Sequence, residues 1–197
     1  MHEHDLDPDP LKQFERWFAD ARDAGLAAPE AMALATATPE GLPSVRMVLL
    51  KGAGEQGFDF YTHYESRKGG ELEANPHAAL LFHWQSLGRQ VRIEGGVARI
   101  GAEESRAYFV TRPLESRLAA WASPQSRALA SRAELERLYA DAKTRFPGAE
   151  VPLPPHWGGF RVQPEAYEFW QHGDDRLHDR VRYTRHGAAW RRERLAP

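Results

Sequence analysis

The sequence predicts an α+β domain built on a curled, mostly antiparallel, β-barrel-like sheet with helices at its edges. Three observations predict it. Short strand signals recur along the chain, about seven to nine of them, joined by turn-sized connections too short for parallel crossovers. Helical spacing is confined to the N-terminal region, one short insertion and the stretch from residue 103 to 146. The 197 residues are 42% hydrophobic and 27% charged, the make-up of one domain with a real core.

Each element has its own justification. Residues 1–9 are polar and read as a mobile tail; residues 10–197 read as a single domain. Asp9 and Pro10 suit the N-cap and first turn of a helix, with Leu11, Phe14, Trp17, Phe18 and Ala21 on one face and Gly25 as the stop. Strand signals follow at 31–38, 45–51, 58–62, 78–84 and 90–100, the first ending at Pro39-Glu40-Gly41. Gly95-Gly96 inside the fifth predicts a bulge or a close backbone approach. Residues 66–75 read as a short helix capped by Ser66. Residues 103–111 and 114–122 are helical and broken at Pro113. Ser131-Arg132-Ala133-Glu134 is a capping box opening a helix with Leu135, Leu138, Tyr139, Ala142 and Phe146 on one stripe. Residues 151–155 form a stiff proline-rich loop. Further strands fit 160–163, 167–170, 176–184 and 189–195, with a hairpin turn at 185–188.

The bulk numbers exclude several function classes. A net charge of −2 gives no general attraction for nucleic acid or membranes. Basic residues are dense over 176–194, but acidic residues interrupt them and no stacking platform accompanies them, so no nucleic-acid partner is expected. The absence of cysteine removes disulfides, thiolate catalysis and thiolate metal sites. No histidine pattern has metal-ligand spacing, so no metal is expected. No apolar run approaches the roughly 20 residues of a membrane span. Met1-His2-Glu3-His4-Asp5 is not a signal peptide, and a cytoplasmic location is the expectation.

Several stretches carry chemistry. In Trp170-Gln171-His172-Gly173-Asp174-Asp175-Arg176-Leu177-His178-Asp179-Arg180, a turn precedes an alternation that puts Arg176, His178 and Arg180 on one strand face. Such a row is costly unless something anionic lies against it. Ser66-Arg67-Lys68 sets two cations at a helix N-terminus, either an anion site or an ordinary solvated helix end. Arg46 and Lys51 bracket an apolar strand. Parity puts them on opposite faces, and Arg46 meets either a ligand phosphate or a nearby Glu. Tyr108 and Arg112, four apart on a helix, with Ser116 beyond Pro113, suggest a phosphate cradle. Gly52-Ala53-Gly54-Glu55-Gln56-Gly57 matches a dinucleotide fingerprint in letters, but a strand follows it, so it reads as a hairpin.

Together these stretches resemble the pyridoxine (pyridoxamine) 5′-phosphate oxidases. The matching runs include Phe14-Glu15-Arg16-Trp17, Arg46-Met47-Val48-Leu49-Leu50-Lys51, Phe60-Tyr61-Thr62, Ser66-Arg67-Lys68, Arg89-Gln90-Val91, Trp121-Ala122-Ser123, Gln125-Ser126, Trp157-Gly158-Gly159-Phe160-Arg161, Glu168-Phe169-Trp170 and Arg176-Leu177-His178-Asp179-Arg180. They span nearly the whole chain in the family's order. The resemblance implies a split β-barrel homodimer with FMN at the subunit interface. It implies FMN contacts from residues 46–51, Tyr61, Thr62, Ser66, Arg67, Lys68, Gln90, Gln125, Ser126, Trp170 and Arg180, with Gln90 from the other subunit. The FMN phosphate falls to Arg46, Lys68 and their neighbours. The substrate phosphate falls to Lys51, Tyr108, Arg112 and Ser116, and Arg176 and His178 lie over the substrate ring as catalytic residues.

The implied reaction oxidises C4′ of pyridoxine 5′-phosphate or pyridoxamine 5′-phosphate to pyridoxal 5′-phosphate. A hydride passes to the flavin, O2 becomes hydrogen peroxide, and the amine releases ammonia. Two departures stand out. Met1–Asp9 is short and acidic where many members carry a basic segment that closes over the substrate. Ala28-Pro29 stands where relatives often have Asp-Pro. The alternatives are a split-barrel flavoprotein with another substrate, or a non-catalytic FMN or pyridoxal-phosphate binding protein.

Overall fold

Aromatic residues at helical and at alternating spacing build the centre of the molecule. The computed structural model describes residues 3–148 and 150–197. Helix α1 (Pro10–Asp23) starts where Asp9 accepts a hydrogen bond from the Leu11 N–H at 2.9 Å, and Pro10 occupies its first turn. Its face of Phe14, Trp17 and Ala21 is buried in the curl of the sheet. Phe14 meets Phe58 edge-on at 4.9 Å and Phe82 at 5.0 Å, so one helix ring ties two strands together.

Among the described residues nine strands form one antiparallel sheet. They are β1 (Ala31–Ala37), β2 (Pro43–Leu49), β3 (Gly52–Gly54), β4 (Gly57–His63), β5 (His77–Trp84), β6 (Arg89–Arg99), β7 (Trp157–Gln171), β8 (Asp179–His186) and β9 (Ala189–Arg194). The order is β2-β1-β5-β6-β7-β4-β3, with β8 also on β7 and β9 on β8. Met32, Leu34, Val91, Ile93, Phe169 and Val181 alternate inward and are buried. The glycines at 52–57 do form a hairpin, β3 pairing with β4. No helix among the described residues is long and apolar enough to cross a membrane.

Strand β7 departs from expectation. The two strands anticipated at 160–163 and 167–170 are one element of 15 residues. Glu94 pairs with Ala166 but Gly95 with Pro164, so Glu165 is an extra residue. This bulge absorbs Pro164 and Glu165 without a turn. Gly95 provides the close approach: a Cβ there would lie 1.9 Å from the Gln163 carbonyl oxygen. Below the bulge β7 pairs with β4, above it with β8.

A second departure concerns the strand expected over 176–184. Residues Asp174–Arg176 form a 3-10 turn, with φ of 55° at Asp175 and 64° at Arg176, and β8 begins only at Asp179. The turn is closed by the Leu177 N–H donating to the Asp174 carbonyl at 2.9 Å. It requires Gly173, where a Cβ would stand 2.3 Å from the Leu177 oxygen. Arg176, His178 and Arg180 are therefore not one alternating row.

The helices form where sequence places them. They are α2 (Arg67–Ala74), α3 (Ala102–Thr111), α4 (Leu114–Ala122) and α5 (Arg132–Arg145). Ser131 accepts from the Glu134 N–H at 3.2 Å, while the Glu134 carboxylate reaches the Ala130 N–H at 2.8 Å. Of the expected α5 stripe only Ala142 is buried. Phe109, Leu118, Val151 and Trp157 make a smaller core beneath the proline-rich loop. Of the segment read as a tail, residues 1 and 2 lie outside the described residues, and Leu6 and Asp7 are seated on the sheet. Leu6 joins the main core, and the Tyr183 hydroxyl donates to the Asp7 carbonyl at 2.8 Å.

Two glycines should respond oppositely to a methyl group. Gly95→Ala should lower the urea midpoint by an amount equivalent to about 2 kcal/mol or more, since backbone blocks its Cβ. Gly70→Ala, in exposed helix with nothing within 4 Å, should raise stability by about 0.5–1 kcal/mol.

Candidate functional site

The N-terminus of α2 is a cationic corner. Ser66 caps the helix, its hydroxyl accepting from the Gly69 N–H at 3.3 Å and donating to the His63 carbonyl at 2.7 Å. Lys68 is buried and its ammonium donates to Gln125 Oε1 at 2.7 Å and to the Thr62 hydroxyl at 3.1 Å. Burial, helped by the nearby charge of Arg46, pulls the Lys68 ammonium down to about 8. Arg46 faces Glu71 at 3.4 Å, which is the acidic partner that sequence offered as its alternative to a phosphate. Arg67 donates to the other Glu71 oxygen at 2.8 Å. Burial opposes ionisation of Glu71, but hydrogen bonds from Ser44, Thr36 and Arg67 prevail and hold its carboxyl down at about 2. Arg46 and Arg67 thus share a single carboxylate at the start of α2, and Lys68 stands near Arg46 with only neutral oxygens as partners.

A cleft of about 500 Å³ opens beside this corner. Lys51, Tyr61, Thr62, Lys68 and Gln125 line it together with Tyr108, Arg112 and Ser116. Met47, Val48 and Leu49 supply an apolar wall. Strand β2 ends at Leu49, Leu50 turns into the core, and Lys51 enters the cleft from the connection to β3. Arg46 lies outside the cleft lining, on the α2 side of β2, as parity requires. Among the described residues no acidic side chain lines the cleft.

Arg112 is the most exacting group there. It is not on the helix with Tyr108, as the spacing had suggested: α3 ends at Thr111 and Arg112 is extended, φ −73° and ψ 149°. It still reaches the same cleft, its guanidinium lying 4.6 Å above the Trp157 ring. Its Nη1 is buried with no hydrogen-bond partner, and burial lowers its proton affinity. Tyr108 stacks on Tyr61 at 4.0 Å, and Tyr61 on Trp157 at 5.5 Å. Burial, then the neighbouring Asp59, pushes the Tyr61 hydroxyl up to about 12, so it stays a donor.

The remaining expected residues lie elsewhere. Gln90 pairs with Trp170 and Trp170 with Arg180, one registered row across β6, β7 and β8. Arg180 donates to the buried Glu168 carboxylate at 2.9 Å, and Glu168 also accepts from Arg92 at 2.7 Å. The His178 ring lies 4.7 Å from that of Trp170, and its Nδ1 accepts from the Gly173 N–H at 3.3 Å. Arg176 is exposed on the turn. Ser126, exposed with φ 70°, follows Gln125 but lies outside the cleft lining. Thirteen residue steps of β7 separate Trp157 at the cleft from Trp170 in the row, roughly 43 Å of extended chain. One chain therefore carries two separate groups of candidate residues.

Sequence reasoning assigned no role to Glu71 or Trp157. The spacing of Arg67 and Glu71, four apart at a helix start, was a signal for the first. Nothing local marks Trp157, because its role comes from α3 folding onto the start of β7.

Comparison with known proteins identifies the family and the fold. Residues 18–145 match the family model described as pyridoxamine 5′-phosphate oxidase. Residues 157–197 match the pyridoxine 5′-phosphate oxidase C-terminal dimerisation region. The pyridoxine/pyridoxamine 5′-phosphate oxidase of Rubrobacter xylanophilus is 59% identical over 197 residues, covering 100% of this chain and 91% of that protein. That of Sphingopyxis alaskensis is 55% identical over 192 residues, covering 98% and 89%. The crystal structure of PhzG from Burkholderia lata 383, in complex with tetrahydrophenazine-1-carboxylic acid, has a TM-score of 0.93 at 34% identity, covering 98% of this chain and 95% of that one. An FMN-binding, pyridoxamine 5′-phosphate oxidase-related protein from Nostoc punctiforme shares the fold, with a TM-score of 0.76 at 18% identity over 98% of this chain and 100% of that one. The curled antiparallel sheet, the cationic corner and two matched regions spanning most of the chain lead to one statement: it belongs to the pyridoxamine 5′-phosphate oxidase family, split-barrel flavoprotein oxidoreductases.

Proposed function

We propose that this protein oxidises pyridoxine 5′-phosphate and pyridoxamine 5′-phosphate to pyridoxal 5′-phosphate with FMN as its cofactor. The buried, partnerless Nη1 of Arg112 carries the reading. An orphaned guanidinium nitrogen in a cleft without carboxylates calls for an anion, and Lys51, Tyr108 and Ser116 in the same cleft complete a phosphate-sized donor set. The 52–59% identity to proteins named for this reaction supports the substrate class.

The donor set of the corner fits a flavin nucleotide. Arg46, Arg67 and Lys68 would hold its phosphate, while Tyr61, Thr62, Gln125 and the apolar wall of Met47 and Leu49 would border its ring system. The chemistry that FMN supplies when bound is acceptance of a hydride from substrate C4′ and transfer of the electrons to O2, giving hydrogen peroxide. The protein's own part is to bind and orient. Lys51 and Arg112 would fix the substrate phosphate and so set where C4′ lies. Arg176 would stack its planar cation on the pyridine ring, and His178 would hydrogen-bond the reacting substituent.

Gln90, Trp170, Arg176, His178 and Arg180 do not line the cleft of their own protomer. We assign them to the cleft of a second copy, so that a homodimer holds two shared sites. The match to a dimerisation region over 157–197 supports this, as does the exposed apolar row Val45, Met47 and Leu49 on edge strand β2. Sequence reasoning moved only Gln90 to the partner.

A second reading has one observation behind it, the likeness to PhzG. An oxygen-uptake assay with FMN separates the two. Pyridoxine 5′-phosphate and pyridoxamine 5′-phosphate should give aldehyde at kcat/KM well above any turnover of a tetrahydrophenazine carboxylic acid. The reverse order, or no aldehyde at saturating FMN, defeats the proposal.

Arg112→Ala should raise KM for pyridoxine 5′-phosphate by about 10- to 100-fold, the worth of a charge-assisted hydrogen bond, and leave FMN affinity within about twofold. Steady-state kinetics and flavin fluorescence check both.

FMN affinity should depend on Lys68. The free protein loses this proton near pH 8, well below an ordinary lysine, and a bound phosphate would restore it. Binding therefore takes up a proton above pH 8 and weakens as pH rises, by up to about tenfold per unit. A fluorescence titration from about pH 7 to 9.5 should show this slope in the native protein and lack it in Lys68→Met.

A further inference from the structure

The cationic corner contains a relay that neither phosphate ligand explains. Glu71, on the second turn of α2, is 6% exposed and uses both carboxylate oxygens. Its Oε1 accepts from Arg67 Nε at 2.8 Å. Its Oε2 accepts the protons of two hydroxyls, Thr36 and Ser44, each at 2.5 Å. Thr36 and Ser44 are direct partners across β1 and β2, so their hydroxyls stand side by side. A carboxylate only accepts, so each hydroxyl must point its single proton at Glu71 and keep its lone pairs free. Arg46 takes those lone pairs: Nη1 donates to Thr36 Oγ1 at 2.5 Å and Nη2 donates to Ser44 Oγ. Nη1 also reaches the Leu34 carbonyl at 3.3 Å.

Arg46 is thus gripped at both terminal nitrogens by two hydroxyls whose orientation one carboxylate dictates. The same carboxylate pins Arg67 through the other oxygen. A surface arginine would otherwise have many rotamers, and freezing them before a ligand arrives removes that entropy from the binding step.

We propose that Glu71 is a positioning residue that presets Arg46 and Arg67 for the phosphate of FMN, so that the protein distinguishes FMN from riboflavin. This rests on the reading of the corner as the FMN phosphate site. Glu71 touches neither substrate nor reacting atoms in this scheme. Its effect acts only through the two guanidinium groups.

Charge alone argues the opposite way. Removing an anion next to a phosphate site should tighten FMN by simple Coulomb attraction. Positioning predicts loosening, so the sign of the effect decides. Glu71→Gln keeps the shape but leaves one acceptor oxygen for Arg67 and two hydroxyls to compete over. The Kd of FMN and of riboflavin should be measured side by side by flavin fluorescence on the apoprotein, with thermal unfolding as a check on folding. The expected result is about a tenfold weaker FMN Kd with riboflavin unchanged, so the preference for the phosphorylated flavin falls about tenfold. Ser44→Ala, which removes one arm of the relay and keeps the carboxylate, should lower that preference about threefold.

FMN bound as tightly or more tightly by Glu71→Gln overturns the proposal, since charge then outweighs positioning. Equal loosening of both flavins also overturns it, because a merely structural role does that. If Glu71→Gln does not fold, Ser44→Ala decides by the same comparison of the two flavins. A native protein with no preference for FMN over riboflavin refutes the phosphate reading of the corner itself. A clear native preference that both variants retain refutes only the role of Glu71.

Discussion

The geometry of β7 governs the molecule. Fifteen residues must stay extended while pairing with β6 along one edge and with β4 and then β8 along the other. A strand that long accumulates twist, and the extra residue at Glu165 lets it change neighbours without breaking. The change is possible only because Gly95 leaves room for the Gln163 carbonyl. Trp157 at one end of β7 floors the cleft, and Trp170 at the other anchors the second group of residues. The same strand therefore carries both groups of candidate residues and holds them apart.

Electrostatics sets the other boundary condition. Lys68 is buried against neutral oxygens, and the half-buried Arg112 lies against aromatic faces with its Nη1 buried. Neither has a carboxylate in hydrogen-bond contact, and both are less basic than in water. Such groups cost folding energy until an anion arrives. Elsewhere the protein pairs its charges closely, as Arg161 does with Asp59 at 2.6 and 2.7 Å and with Glu104 at 2.6 Å. Lys68 and Arg112 both line the cleft where ligands with phosphate groups are proposed.

Much of this was legible in the sequence, and the reasons differ by residue. The helix starts at Asp9, Ser66 and Ser131 are local chemistry, each a short side chain reaching its own backbone, so they form as read. The glycine pair at 95–96 announced a close approach correctly, though not which strand would come near. Failures came where tertiary contacts overrule local pattern. Alternation from Arg176 to Arg180 looked like a strand, but the turn after Gly173 delays the strand by three residues, to Asp179. Pro164 looked like a strand end, but partners on both sides of β7 carry it through. Arg112 looked helical by spacing, and its place over Trp157 depends on a residue 45 positions away in sequence. Parity did separate Arg46 from Lys51, because it depends only on the backbone.

The bulge at Glu165 has a consequence for how such a scaffold can change over time. Gln90, Trp170 and Arg180 are aligned by backbone register and not by their own side-chain contacts, so they move as a block. Losing the single extra residue would shift the upper half of β7 by one place. Phe169 would then face out and Trp170 in, since strand faces alternate. Loops around the cleft can lengthen, shorten and drift toward new substrates one substitution at a time. The length of β7 cannot: it behaves as a ratchet tooth, open to divergence on either side and closed to it at that one position.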